Sequence, residues 1–304
     1  MFGVGYRFEE KHPPKFIYEQ IALGAKRFTE YLNENPVDAI ISTHIFGSML
    51  VTEARAKYGV TVPHYVVITD YTVYPGSDMV DVARFFIPAD GLVSSYLNNG
   101  IESDRLTASG IPIHPSFLAG KDRKTSRTKL HLPEEGRIVL LFSGSIGCGR
   151  LDRVATELEQ QLPSDATLVI ICGHNSRLQK KLKSVCSDRT VVVGFTSRVA
   201  DYMAAADLCI SKPGGLSITE MVASRLPMVL MLSVPGCETR NMEYFIDRNA
   251  AIGTDDWDMA IQQMGILLRN PDRLAQMREI LQAIGYPGGA KVIADAVIAD
   301  REEK

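Results

Sequence analysis

The chain has 304 residues, 45% of them apolar and 23% charged, which suits one large core or two moderate ones and excludes general disorder. A net charge of −3 supplies no field to attract a phosphate backbone, so no nucleic-acid partner is expected. Five scattered cysteines (Cys148, Cys172, Cys186, Cys209 and Cys237) and six histidines fall into no paired or ligand spacing, so neither a disulfide framework nor a metal site is expected.

A short apolar run followed by a helical stretch is the repeating unit, the pattern of an α/β architecture with parallel strands. The opening residues carry early charges and no apolar core, so they do not read as a signal peptide. Phe16, Ile21, Leu23, Phe28 and Leu32 then share the spacing of a single helix over 16–33. Strands are expected at 38–42, 64–70, 84–88 and 106–109, the last running into a Gly-Ile-Pro-Ile-His-Pro turn. Residues 119–136 are basic and polar without a sustained apolar period, and read as a linker. The second series has strands at 137–143, 167–172, 190–193, 208–211 and 228–232, with helices at 150–161, 176–186, 197–205, 215–225 and 239–248 between them. Asn270 caps a helix that starts on Pro271, and a last helix fits 289–301. The expected organisation is a partial N-terminal domain over 1–118, the linker over 119–136, a C-terminal domain over 137–285, and a terminal helix over 286–304 that packs back on the N-terminal domain.

No apolar run approaches the roughly 20 residues of a membrane span. The expected location is the cytoplasm, with any membrane contact peripheral. Basic clusters at 121–129 and 180–183 read as a solvated loop and a helix face, or as attraction to an anionic membrane surface.

In parallel sheets ligands sit outside the carboxyl ends of the strands, so chemistry is sought in the loops that follow them. Ser-Lys-Pro-Gly-Gly-Leu-Ser-Ile-Thr-Glu (211–220) follows a strand and opens a helix. Gly214 and Gly215 admit a phosphate to the helix N-terminus, Lys212 adds a cation, Ser217 and Thr219 offer hydroxyls, and Glu220 can accept both hydroxyls of a ribose. The competing reading is a Gly-rich turn with an acid favoured by the helix dipole. Ser145 and Gly147, in the loop 143–150, supply the other side of a diphosphate cradle. Glu238 and Asn241 lie at a helix start, facing sugar hydroxyls or merely capping the helix. Phe195 follows a strand, as an aromatic edge for a flat base or as core. His44 and Asp70 each end a first-half strand, where a general base would be needed or where a local hydrogen-bond partner would serve. His174 invites the same two readings, while Tyr71, Tyr74 and Pro75 read as the lining of an acceptor groove or as loop packing.

Residues 194–251 resemble the donor half of the processive diacylglycerol glucosyltransferases and monogalactosyldiacylglycerol synthases, and more distantly the N-acetylglucosaminyl transferase of peptidoglycan precursor synthesis. Ser-Thr-His-Ile-Phe-Gly (42–47), Val-Ile-Thr-Asp-Tyr (67–71), Phe-Phe-Ile-Pro-Ala (85–89) and the segment 109–117 resemble landmarks of the same group's first domain. The resemblance implies a GT-B fold, two Rossmann-like domains of doubly wound parallel sheet facing a cleft. It implies transfer of a hexosyl group from a UDP-sugar to a lipid acceptor such as diacylglycerol, with no metal and no cofactor. By position it puts Glu220 on the ribose, Ser145, Gly214, Gly215 and Leu216 on the diphosphate, the Phe195 region on uracil, and Glu238 and Asn241 at the donor end. Gly236-Cys237-Glu238 replaces the family's Gly-Gln-Glu, which leaves the donated sugar open. Relatives also open with a strand and a Gly-x-Gly-His loop that bears a candidate base. Its absence here implies a shortened start, a partner chain that completes the N-terminal domain, or a nucleotide-sugar-binding protein that does not transfer. A nucleotide-sugar epimerase of the same fold is a further alternative, with Glu238, His44 and Asp70 as its acid/base groups.

Overall fold

Apolar runs of four to six residues alternate with amphipathic stretches, and they fold into two parallel sheets. The computed structural model describes residues 14–142, 151–231 and 236–302. They divide into two units, one drawn from Met1–Pro112, Pro235–Arg240 and Pro287–Lys304, the other from Ile113–Val234 and Asn241–Tyr286.

The first unit runs through α1 (Pro14–Ala22), α2 (Ala25–Glu34), β1 (Ile40–Ser42), α3 (Ile45–Tyr58), β2 (His64–Val67), β3 (Arg84–Ile87), α4 (Val93–Asn98) and β4 (Leu106–Ala108). Its sheet has the order β1-β2-β3-β4, and every pair is parallel. The single helix expected over 16–33 is two helices. Gly24 separates them where a Cβ would sit 3.3 Å from Leu50 of α3, so the chain turns as it passes close to that helix. Leu23, counted in the apolar spacing, is therefore left 78% exposed.

The chain continues through α5 (Arg123–Leu130), β5 (Arg137–Phe142), α6 (Leu151–Gln161), β6 (Ala166–Ile171), α7 (Ser176–Val185), β7 (Thr190–Val193), α8 (Val199–Ala205), β8 (Leu208–Ser211), α9 (Gly215–Ala223), β9 (Met228–Met231), α10 (Cys237–Ile246), β10 (Ala251–Thr254), α11 (Trp257–Leu268) and α12 (Pro271–Ile284). The second sheet has the order β10-β9-β8-β5-β6-β7, again parallel. Helices cover both faces of such a sheet, so its strands are apolar throughout rather than alternating. Leu141, Leu168, Ile170, Ile210 and Val229 are all buried in one cluster with α6, α11 and α12. At about 1.5–3 kcal/mol per buried side chain, this cluster dominates the unit's stability. The edge strand β10 pairs only with β9, and no apolar run announced it in the sequence.

The stretch expected as a linker, 119–136, contains α5, and its packing is polar. Arg127, 4% exposed, donates to the Asp207 carboxylate at 2.8 Å and to the carbonyls of Ala205, Glu134 and Gly136. Asp207 also receives Arg123 at 2.7 Å, Arg278 at 3.4 Å and the Ile138 backbone N–H. The terminal helix α13 (Ala290–Glu302) returns to the first unit. There Ile293 and Val297 pack on Tyr65, Val67 and Phe86, and Arg84 grips Asp300 through two donors at 2.6 and 3.2 Å. Among the described residues no helix is long and apolar enough to cross a membrane.

Candidate functional site

In the second sheet the connections run outward to β6 and β7 on one side of β5 and to β8 and β9 on the other. The order therefore reverses between β5 and β8, and the crevice at their carboxyl ends is where such a sheet binds its ligand. Phe142 and Ser211 are register partners at that edge. The loop after β8 is the Ser-Lys-Pro-Gly-Gly turn. The loop after β5, with Ser145 and Gly147, lies outside the described residues.

Helix α9 opens on this turn without a side-chain cap. Four other helices of the unit are capped by side chains, Asp122 for α5, Asn175 for α7, Asp256 for α11 and Asn270 for α12, while the short α8 shares with α9 the lack of one. The N–H groups of Gly215, Leu216 and Ser217 open the helix and have no carbonyl one turn earlier to accept them. Together with the helix dipole they form an anion site. Gly214 contributes differently from the sequence expectation. Its N–H donates to the Lys212 carbonyl at 2.9 Å, so it is not a free phosphate donor. Its φ of −75° requires no glycine either. What it supplies is space, since a Cβ there would meet only the Lys212 side chain, at 3.5 Å from Nζ. Leu216, 53% exposed, presents its backbone at the mouth of the turn, and Ser217 is half-buried beside it. Thr219 is withdrawn: it is buried, and its hydroxyl donates to the Gly215 carbonyl at 2.8 Å.

Glu220 is half-buried in the second turn of α9, and burial pushes its carboxyl up to about 7. The turn is held from behind by Asn241, fully buried, whose side-chain amide donates to the Pro213 carbonyl at 3.0 Å. Asn241 thus shapes the phosphate loop, a contact that its spacing in the sequence did not suggest. Glu238 lies in the first turn of α10, half-buried, after Gly236 at φ 124°. Gly236 and Thr239 close that turn reciprocally, at 3.1 and 3.0 Å.

Further along the same carboxyl edge, Phe195 is 67% exposed rather than core. Its ring stacks on His174 with centroids 4.1 Å apart and planes within 19°. One ring follows β7 and the other β6, so the two strand ends jointly present a flat aromatic face. His174 was legible only as a lone strand-end histidine. Its partner is twenty-one positions away in the chain, and the pairing of β6 with β7 brings the two together.

In the first unit, His44 and Asp70 do converge, through Tyr74. The Tyr74 hydroxyl donates to the Asp70 carboxylate, and its ring lies 5.4 Å from that of His44. Tyr74 is buried, and burial and the Asp70 charge both raise its hydroxyl pKa, so it remains a donor. His44 caps α3 by accepting the Phe46 N–H on Nδ1 at 3.2 Å. In the neutral ring the proton then sits on Nε2, so this tautomer is a hydrogen-bond donor rather than a base. Burial lowers the His44 pKa, and the Asp70 charge opposes that.

Comparison with known proteins fits this geometry. Residues 1–113 match the monogalactosyldiacylglycerol synthase family model, and residues 138–282 match the glycosyltransferase family 28 C-terminal domain. A processive diacylglycerol beta-glucosyltransferase from Bacillus cereus (strain B4264) is 29% identical over 97% of this chain and 76% of its own length. One from Bacillus subtilis (strain 168) is 27% identical over 92% and 73%. Among solved structures, MurG of Acinetobacter baumannii superposes with a TM-score of 0.66 at 16% identity, covering 92% of this chain and 78% of that one. The S. aureus MnaA–UDP structure gives 0.65 at 14%, covering 93% and 80%. These likenesses show the two-unit GT-B fold. With one family model on each half and relatives aligned along nearly the whole length, the chain is similar throughout to the diacylglycerol glucosyltransferases and monogalactosyldiacylglycerol synthases.

Proposed function

We propose that the chain transfers a hexosyl group from a UDP-sugar to a lipid acceptor of the diacylglycerol type. The observation that carries this is the uncapped start of α9 at the switch point of the second sheet, with Glu220 in its next turn. The N–H groups of Gly215, Leu216 and Ser217 take the diphosphate, Lys212 adds charge, and Glu220 accepts the ribose hydroxyls. The His174–Phe195 face stacks on uracil. In the reaction the bond from the anomeric carbon to the diphosphate oxygen breaks, and UDP leaves with the electron pair. The acceptor hydroxyl oxygen forms the new glycosidic bond and gives its proton to a base. Charge that develops on the leaving UDP is met by preorganised N–H groups, which need no reorganisation at the moment of transfer. On the acceptor side, Asp70, oriented by Tyr74, is the proton acceptor in this reading, and His44 donates a hydrogen bond. Glu238 meets the sugar, while Asn241 holds the phosphate loop. The work would be done peripherally on the inner face of the cell membrane, where the lipid is.

Incubating the protein with UDP-glucose or UDP-galactose and diacylglycerol vesicles, and measuring both UDP and glycolipid, tests this. Equal amounts of UDP and glycolipid are expected. Donor binding without glycolipid would favour a binding protein, and interconversion of the free nucleotide-sugars would favour an epimerase.

A further inference from the structure

The opposite end of α9 from the diphosphate loop borders a cavity of about 430 Å³, within the range of small-ligand sites. Its lining is mixed: Leu118, Val222 and Leu281 are among the apolar side chains, and Lys121, Ser224 and Arg225 are among the polar ones. Nine residues of helix at about 1.5 Å per residue separate it from the start of α9, so it is not part of the nucleotide grip.

The charge around this cavity is unbalanced. Lys121 donates to Asp201 at 2.7 Å, but that carboxylate also serves Lys129 at 3.2 Å and Arg198 at 3.7 Å. Three cations thus share one anion, and the Arg198 Nε is buried with no hydrogen-bond partner. Arg225 is exposed and has no carboxylate partner among the described residues. A chain whose net charge is −3 has here gathered an excess of positive charge beside an open cavity. Arg225 also sits at φ 50°, where glycine is favoured, its N–H closing the end of α9 on the Val222 carbonyl at 3.0 Å. A guanidinium is kept at the cavity despite a backbone cost of about 1 kcal/mol.

We propose that this cavity binds a phosphate monoester with a small apolar or glycerol-like body. A dianion suits the combination of an arginine fork and a lysine point charge better than a carboxylate does. Leu118, Val222 and Leu281 take the organic part.

The test is calorimetric titration of the full chain with glycerol 3-phosphate, dihexanoyl phosphatidate below its micellar concentration, and inorganic phosphate, with glycerol and dihexanoylglycerol as uncharged controls. Saturable one-to-one binding of at least one ester is expected, absent for the controls and unchanged by saturating UDP. Arg225→Gly relieves the left-handed backbone, so it should fold at least as well as the wild type and bind the ester about tenfold more weakly. Lys121→Gln leaves Asp201 paired with Lys129 and Arg198 and should weaken binding about as much. Both variants should keep wild-type UDP affinity. Comparable affinity for the two esters identifies a soluble metabolite, and binding of the phosphatidate alone a lipid headgroup; either supports the site. Displacement by UDP, equal affinity for inorganic phosphate, no saturable binding, or unchanged affinity in both variants would overturn it.

Discussion

Replacing Glu220 by Gln should move stability and nucleotide affinity in opposite directions. Burial pushes this carboxyl from its ordinary 4.5 up to about 7. The folded chain therefore holds a proton that the unfolded chain has released between those values, and stability is lost as pH rises through that window. At about 1.4 kcal/mol per pH unit, the ionised carboxylate costs the ligand-free fold at most about 3 kcal/mol at pH 8 and about 1 kcal/mol at pH 5. The Gln variant is isosteric and uncharged, so it should be more stable than the wild type by about these amounts, with the gap closing on acidification. UDP binding should respond the other way. Hydrogen bonds from ribose hydroxyls to a carboxylate contribute about 1.5–3 kcal/mol, so the variant should bind UDP roughly ten- to a hundredfold more weakly at pH 8. Wild-type affinity should fall below pH 7 by up to about tenfold per pH unit, as the proton competes with the ribose, and the variant should follow only the titration of the nucleotide itself. Urea unfolding at pH 5 and 8, paired with calorimetric UDP titrations, reads both effects. A variant no more stable than wild type at pH 8 would refute the burial argument. Unchanged UDP affinity would refute the placement of the ribose.

Phe195→Ala should leave stability within about 0.5 kcal/mol, because the ring is 67% exposed, yet weaken UDP by roughly tenfold or more through lost stacking while sparing inorganic pyrophosphate. Equal losses for both ligands would contradict a base-stacking role. Asp207→Asn should cost about 3–5 kcal/mol in urea unfolding, since it leaves Arg127 buried and charged and strips Arg123 and Arg278 of their carboxylate. A loss under 1 kcal/mol would mean that the backbone carbonyls alone suffice for Arg127. Burial, opposed by a hydrogen bond to the Asp81 carbonyl, holds the His64 imidazole down at about 4, with the Ser42 hydroxyl donating to its Nε2. The unfolded chain takes up a proton first, so this residue's share of stability is intact above pH 6.5 and is lost as pH falls toward 4, by up to about 3 kcal/mol. His64→Gln should flatten the unfolding midpoint across that window, and a midpoint that still falls as steeply would assign the acid sensitivity elsewhere.

What the sequence by itself determined is what local chemistry dictates. Apolar runs such as 137–142 and 208–211 can only be strands buried on both faces, which makes the sheets parallel and sends ligands to their carboxyl ends. The Gly-Gly turn after 211 and Glu220 beyond it follow from that within ten residues. Tertiary structure decided whatever depends on a distant partner. A basic, aperiodic stretch became the helix α5 because Arg127 is neutralised by Asp207, eighty positions on. Phe195 became an exposed platform because β6 and β7 deliver His174 to its face. Asn241 became the brace of the phosphate loop because α10 packs behind Pro213. In each case the residue's own neighbours in the chain allow two outcomes, and a group brought near only by folding selects one: ring stacking for Phe195, and for Arg127 and Asn241 the cost of burying an unpaired charge, amide or carbonyl, which exceeds any local preference.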